Sequence, residues 1–304
     1  MAELNLGIDI KASVEKVYLA LTDPRALTNW FAEHTDVSIE DSRYDFWGRS
    51  TPDNPSREQG CHRLIRVIPE KLLEFEWRLR DIDSIVQYEL HTSSPGCVLT
   101  MYHRDFPQSR PNQSSIGDFW SHALEGLRHW LERGRAYQLL DYSQVQKGDV
   151  RVSVEIDAVP SMVFRALTDA TQMERWIGSK GAIDPKPGGK IDFGWGMGPI
   201  KILEIVPDAK LAYSWQWEGE PETIATWTLG GSGGKTRVTI VQSGFAPDRD
   251  NEDYFIGWSK FAARLKTMLE EGPDWSRAKV YANEERTEAT TTTIDPIPSR
   301  DKGE

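Results

Sequence analysis

Few side chains in this sequence have both the type and the placement for chemistry. His103 and Gln242 hold the same place in two related stretches, each on the inward parity of a strand pattern. A polar group on that parity must find a hydrogen-bond partner. It would be a handle inside a pocket, with His103 a candidate acid or base, or a strand-end residue wetted by solvent. Glu204 and Arg66 sit at equivalent strand positions with opposite charge, facing either a cavity or solvent. Tyr213 completes the titratable candidates, so the catalytic set to test is His103, Glu204 and Tyr213. His122 and His129 are seven apart on one helical face. A helical metal site normally uses i, i+4 spacing and a third ligand, so an exposed face is expected and no metal. Cys61 and His62 are neighbours in an extended stretch, which sends their side chains to opposite faces and makes no dyad. Gly194-Trp-Gly-Met-Gly198 has no helix after it, as a phosphate cradle would need, and reads as a turn near a pocket mouth. Nothing resembles a nucleophile elbow, a P-loop or a metal motif, and no cofactor is expected.

The aromatic residues are the larger clue. There are twelve tryptophans. Phe75, Trp77, Tyr88 and Trp120 with His103 in the first half, and Trp176, Phe193, Trp195, Tyr213, Trp215, Trp217, Trp227 and Trp258 with Gln242 in the second, are the candidate lining of an apolar pocket. Such a lining would hold a flat hydrophobic ligand by stacking and burial. The competing reading is that these rings fill the core.

The elements that must position these residues occur twice. Shifted by 146 positions, residues 8–30 lie on 154–176 without a gap and with eight identities, among them Ala20/Ala166, Asp23/Asp169 and Trp30/Trp176. A repeat half the chain long signals two similar domains rather than a solenoid. Each copy opens with an alternating strand and a helix whose apolar residues fall at i, i+3, i+4 (Val17, Ala20, Leu21; Val163, Ala166, Leu167). An Asp-capped second helix follows. Period-two segments come next (Leu73, Phe75, Trp77, Leu79; Leu211, Tyr213, Trp215, Trp217), as antiparallel strands with one buried face require. Each copy closes with an amphipathic helix, Trp120-Leu124-Leu127-Leu131 and Trp258-Ala262-Leu265-Leu269, now 138 apart. The first copy therefore carries an insertion, placed at the polar, proline-containing loop 47–59. The expected division is 1–134, a linker 135–149, 150–273, and a polar tail 274–304, of which 283–304 has the composition of a disordered segment.

The net charge of −11 argues against nucleic acid and anionic membranes. No apolar run reaches membrane-span length, and no signal peptide is visible at the start. Two unpaired cysteines fit a reducing, cytoplasmic compartment.

The order of strand, two helices, antiparallel sheet and long last helix resembles the START-like (SRPBCC) superfamily, with its helix-grip fold. The stretches that carry the resemblance are Ala158–Asp169 with Trp176, Pro187–Gly194, Glu204–Trp215 and Gly257-Trp258. In the first copy they are Ala12–Asp23, Trp30, Val67–Trp77 and Trp120, without the Gly-Gly turn and with Phe119 in place of Gly257. The match is strongest to the branch named for the activator of the heat-shock chaperone ATPase. The resemblance implies an α+β fold of two tandem helix-grip domains, each a curved antiparallel sheet around its last helix with a cavity between sheet and helix. It also implies a function to test: binding of a small hydrophobic, lipid- or polyketide-like molecule by a carrier, sequestering or self-resistance protein. The alternatives are a polyketide cyclase or dehydratase, and a module that assists a chaperone through a protein partner. The two copies are expected to pack against or beside each other.

Overall fold

The computed structural model describes residues 2–107, 115–197 and 200–282. The tail 283–304 and Gly198 of the glycine-rich turn lie outside the described residues. The first half runs β1 (Ala2–Ile10), α1 (Val14–Thr22), α2 (Pro24–Leu27), β2 (His34–Ser38), β3 (Arg43–Trp47), β4 (Leu64–Ile68), β5 (Leu72–Leu79), β6 (Ile82–Ser93), β7 (Gly96–Phe106) and α3 (Ser115–Arg133). The second half runs β8 (Val150–Ile156), α4 (Pro160–Thr168), α5 (Ala170–Ile177), β9 (Ala182–Ile183), β10 (Lys190–Asp192), β11 (Ile200–Val206), β12 (Lys210–Trp215), β13 (Thr223–Ser232), β14 (Lys235–Ser243) and α6 (Glu252–Glu271), with a last strand β15 (Val280–Ala282). The sheets are antiparallel, in the orders β15-β1-β7-β6-β5-β4 and β8-β14-β13-β12-β11-β10-β9, and β2 and β3 form a separate hairpin.

The repeat fixes the same local chemistry twice. Ser13 caps α1, and Asp23 and Asp169 cap the helices that follow them, each accepting from backbone N–H groups that would otherwise be unpaired. The indole of Trp30 donates to Ala20 O at 3.1 Å, and that of Trp176 to Ala166 O at 3.0 Å. Each indole thereby ties the end of the second helix to the first. Glu132 on α3 accepts from Lys11 N, and Glu270 on α6 accepts from Asp157 N, at 2.8 and 2.9 Å. These bonds fasten each closing helix to the end of its own first strand.

The tail expected from residue 274 begins otherwise. Val280–Ala282 pairs antiparallel with Leu6–Ile8 of the first sheet. Tyr281 lies over Gly7, where a Cβ would come within 2.4 Å of the ring. The missing side chain at Gly7 lets the strand dock, which composition alone did not reveal. The 47–59 insertion is likewise no free loop: Ser50 and Thr51 are buried, and Arg49 O accepts from Tyr142 N of the linker at 2.7 Å.

Charged groups of α3 and α6 meet. Asp118 pairs with Lys260, and Glu125 with Arg264, whose Nε lies 2.9 Å from Glu125 Oε2. His129 Nε2 lies 2.5 Å from Glu271 Oε1. The expected exposed histidine face is therefore corrected. His122 is buried and donates from Nε2 to Gln138 O at 2.6 Å, and burial lowers its pKa to about 4. Both histidines face elements outside their own repeat, which a helical-wheel reading of one copy does not include.

Candidate functional site

The polar residues on the inward parity come first. Trp120 Nε1 donates to His103 Nδ1 at 3.0 Å, His103 Nε2 meets Ser84 Oγ at 2.9 Å, and Ser84 Oγ donates to Trp77 O at 2.6 Å. Because the serine proton is spent on the carbonyl, the imidazole must be the neutral Nε2–H form, donating to Oγ. The second copy repeats the relay with other residues. Trp258 Nε1 donates to Gln242 Oε1 at 2.7 Å, Gln242 Nε2 to Thr223 Oγ1 at 2.8 Å, and Thr223 Oγ1 to Trp215 O at 3.1 Å. Each relay ties the closing helix to three strand residues through a fully buried side chain.

This corrects the assignment of His103 as acid or base. Both ring nitrogens are engaged, and burial holds its pKa down to about 3. Glu204 is exposed and pairs with Lys210 at 2.6 Å on the surface, a correction for the second catalytic candidate. The register slips by one residue between Ile202 and Glu204, and such a bulge re-aims side chains in a way that alternation cannot foresee. Arg66 also faces outward and pairs with Glu74 at 3.4 Å. Tyr213 is buried in the second half, where its hydroxyl accepts from Trp227 Nε1 at 2.8 Å. Burial raises its pKa above the ordinary phenol value. The three candidates thus lie in one core, on one surface and in the other core, and they do not converge as acid–base catalysis requires. Among the described residues, no group of three or more His, Cys, Asp or Glu could hold a metal ion.

The aromatic residues divide by half. In the first, Phe75, Trp77, Tyr88 and Trp120 are at most 2% exposed. Trp77 stacks on His103 at 5.2 Å and 5°, and meets Trp120 edge to face at 5.7 Å. Phe31, Phe46 and Phe119, which were not among the candidate lining residues, complete this layer. The rings occupy one another's faces and form a packed core. Tyr88 Oη is buried and finds no hydrogen-bond partner among the described residues. An unmade buried hydrogen bond costs ~1–3 kcal/mol, so Tyr88→Phe is expected to raise the urea midpoint rather than lower it.

The second half keeps an accessible aromatic edge. Trp176, Tyr213, Trp215, Trp227 and Trp258 are buried, whereas Trp195 and Phe261 are only half-buried and Trp217 is 37% exposed. Trp195 lies between two rings, stacked on Phe193 at 4.9 Å and 19° and on Phe261 at 5.1 Å and 20°. It also reaches Trp215, which Trp217 meets from another side at 6.5 Å. Phe193 follows the short β10, and Phe261 belongs to α6, so Trp195 fills a slot between sheet and closing helix. It sits on a turn between Gly194 and Gly196, with φ of +71° and +78°. At Gly194 a Cβ would meet Lys180 O at 2.1 Å, so the turn needs a glycine there. Phe261 is the residue that sequence reasoning missed: it stands three residues after Trp258, at the border of the Trp258-Ala262-Leu265 face, and only its contact with Trp195 marks it.

The family model described as activator of Hsp90 ATPase homolog 1-like protein matches residues 11–132 and again 157–270. The chain belongs to this family. The two matches coincide with the two copies of the repeat, so the family domain is present in tandem. Among solved structures, MLL2253 from Mesorhizobium loti is similar at 27% identity, over 42% of this chain and 99% of that one, with a TM-score of 0.36. PFC0360w, an HSP90 activator from Plasmodium falciparum, is similar at 19% identity over 43% and 99%, with a TM-score of 0.37. DynU16, described as a protein in the dynemicin biosynthetic locus, is similar at 16% identity over 88% and 98%, with a TM-score of 0.36. No curated protein matches. Among the described residues, no helix of this family member is long and apolar enough to cross a membrane.

Proposed function

We propose that the second half binds a small, flat, hydrophobic molecule without covalent chemistry, as a carrier or sequestering protein of the cytoplasm, and that Trp195 is the plug of its slot. The single observation behind this reading is the sandwich of Trp195 between Phe193 and Phe261 on a glycine-flanked turn. A planar ligand needs two parallel apolar faces, and withdrawal of one indole would expose them. The half-exposed Trp217 would then cover the outer edge. The first half, with its packed aromatic layer, serves as the docked structural partner of the second. A lipid- or polyketide-like ligand fits the aromatic walls. No acid–base step is assigned, because the titratable candidates do not converge.

The test is a fluorescence titration of the whole protein with flavonoids, polycyclic aromatics and fatty acids. Saturable quenching with a raised Tm is expected for a planar member of the panel. Trp195→Ala removes the competing ring and should tighten binding, while Trp217→Ala removes a wall and should weaken it with little loss of stability. Each change should be about three- to tenfold, the worth of one aromatic stacking contact. Absence of saturation in both the wild type and Trp195→Ala would end this reading.

A further inference from the structure

The two copies differ at one edge. β1 is covered on its outer side by β15, through Leu6–Ile8, whereas among the described residues its counterpart β8 is the terminal strand of the second sheet. By the repeat, Val152–Val154 stands where Leu6–Ile8 stands. An uncovered edge is a template for strand addition, and β8 carries no proline to blunt it.

A cleft of about 550 Å³ runs along this edge. It is lined by five consecutive residues, Val150 to Val154. Residues of both parities line it, so it follows the strand's backbone rather than one face. Phe255, Ser259 and Ala262 of α6 form one wall, and the linker glutamines Gln138, Gln144 and Gln146 form the other. Beyond the cleft the edge is already used: Lys266 Nζ donates to Glu155 O at 2.7 Å and Glu270 takes Asp157 N. Arg151 and Ser153 share the parity of Glu155. Their N–H and C=O groups therefore project into the cleft, by the alternation of an antiparallel edge.

We propose that this cleft takes an extended peptide segment of a partner protein, added antiparallel to β8 over residues 151–153. The chain itself supplies the precedent for the occupant. The segment covering the equivalent edge is Val280–Ala282, apolar at Val280 and Ala282 and preceded by the cationic Arg277 and Lys279. The cleft suits that chemistry, since its lining has two carboxylates, Asp141 and Asp149, against the one guanidinium of Arg151. One difference sets specificity. Ser153 replaces Gly7, and its Oγ lies 3.2 Å from Thr239 Oγ1. A tyrosine ring cannot lie over the strand there as Tyr281 does over Gly7, so the partner places a small residue opposite Ser153.

The test uses the full chain and a capped peptide of residues 277–282 carrying Tyr281→Thr, followed by residue-resolved amide exchange. At saturating peptide, exchange of the outward amides of Arg151 and Ser153 should slow by about tenfold, as for hydrogen-bonded backbone. Ser259→Phe, which fills the cleft, and Ser153→Pro, which removes an outward N–H, should each weaken binding about tenfold or more. Two such variants guard against either one failing to fold. Protection at Gly7 instead would mean that the peptide displaces β15 and would overturn the proposal. So would binding that both variants leave unchanged, or no binding at all. Protection of Arg151 and Ser153 without peptide would also overturn it. If independent of dilution, it identifies the chain's own residues as the occupant; if lost on dilution, a second copy.

Discussion

Arg264→Met is expected to destabilise the protein by ~3–5 kcal/mol, because it strands a buried carboxylate. The side chains of Arg264 and Glu125 are only 6% and 4% exposed. Burial alone would push the Glu125 carboxyl up, but Arg264 and then Lys260 more than offset it, so the group is held below its ordinary value. Without the guanidinium, Glu125 must either ionise unpaired in a dry site or take up a proton at neutral pH. Both cost folding energy. The double variant Glu125→Leu/Arg264→Met removes both charges and should lie within ~1 kcal/mol of the wild type, since attraction within a buried pair does little more than repay its desolvation. Urea unfolding at pH 7.5 separates the cases. A single variant costing under ~1 kcal/mol would mean that water reaches the pair. The pair joins α3 to α6, so the single variant should also split one cooperative transition into two.

The tandem fold was legible because each copy repeats the same periodicities with the same anchors. Val17, Ala20 and Leu21 predict a helix face, and Leu73, Phe75, Trp77 and Leu79 a strand face, and the structure has both. The contacts between copies were not legible. On its own helix Glu125 reads as part of a solvated face, and only the arrival of α6 buries it. Val280–Ala282 sits in a polar segment whose strand character comes from the edge it meets. At the aromatic site the rings could be named but not sorted. Inward parity is shared by Trp215 and Trp217, yet β12 ends at Trp215 and leaves the next inward ring half in solvent. The relay partners Ser84 and Thr223 escaped notice because a lone hydroxyl on a strand carries no signal until its acceptor is placed.

The relay also sets how the protein responds to acid. An imidazolium at position 103 would turn an N–H toward the indole N–H of Trp120, donor against donor, in a fully buried site. Burial depresses its pKa to about 3 and that of His62 to about 4; for His122 burial comes first, aided by the charges of Arg264 and Lys260 and opposed by Glu125 and the bond to Gln138 O, and the pKa is again depressed to about 4. In the unfolded chain a histidine titrates near ~6.5. The unfolded state therefore takes up protons first. The stability these residues contribute is complete above pH ~6.5 and is lost as pH falls toward the folded values. Each costs up to ~1.4 kcal/mol per pH unit in that window, so all three remove roughly 6–7 kcal/mol between pH 6.5 and 4.5, comparable to the margin of a typical domain. Glu252 works in the opposite sense. Burial raises its carboxyl to about 7 against the pull of Arg80, so its contribution is full below the ordinary carboxylate range and is lost as pH rises through 7. One such group offsets less than half of the histidine effect, and acid unfolding should begin well above the carboxylate range. His103→Gln isolates the cause, because Gln242 already performs the same two hydrogen bonds in the other copy. This variant should match the wild type at pH 7.5 and exceed it by ~2–3 kcal/mol at pH 4.5. His103→Leu, which leaves the Trp120 N–H unpaired, should lose ~1–3 kcal/mol at pH 7.5. Urea midpoints across pH 4.5–8 decide the matter: parallel curves for wild type and His103→Gln would mean that the imidazole reaches solvent and is no fixed part of the relay.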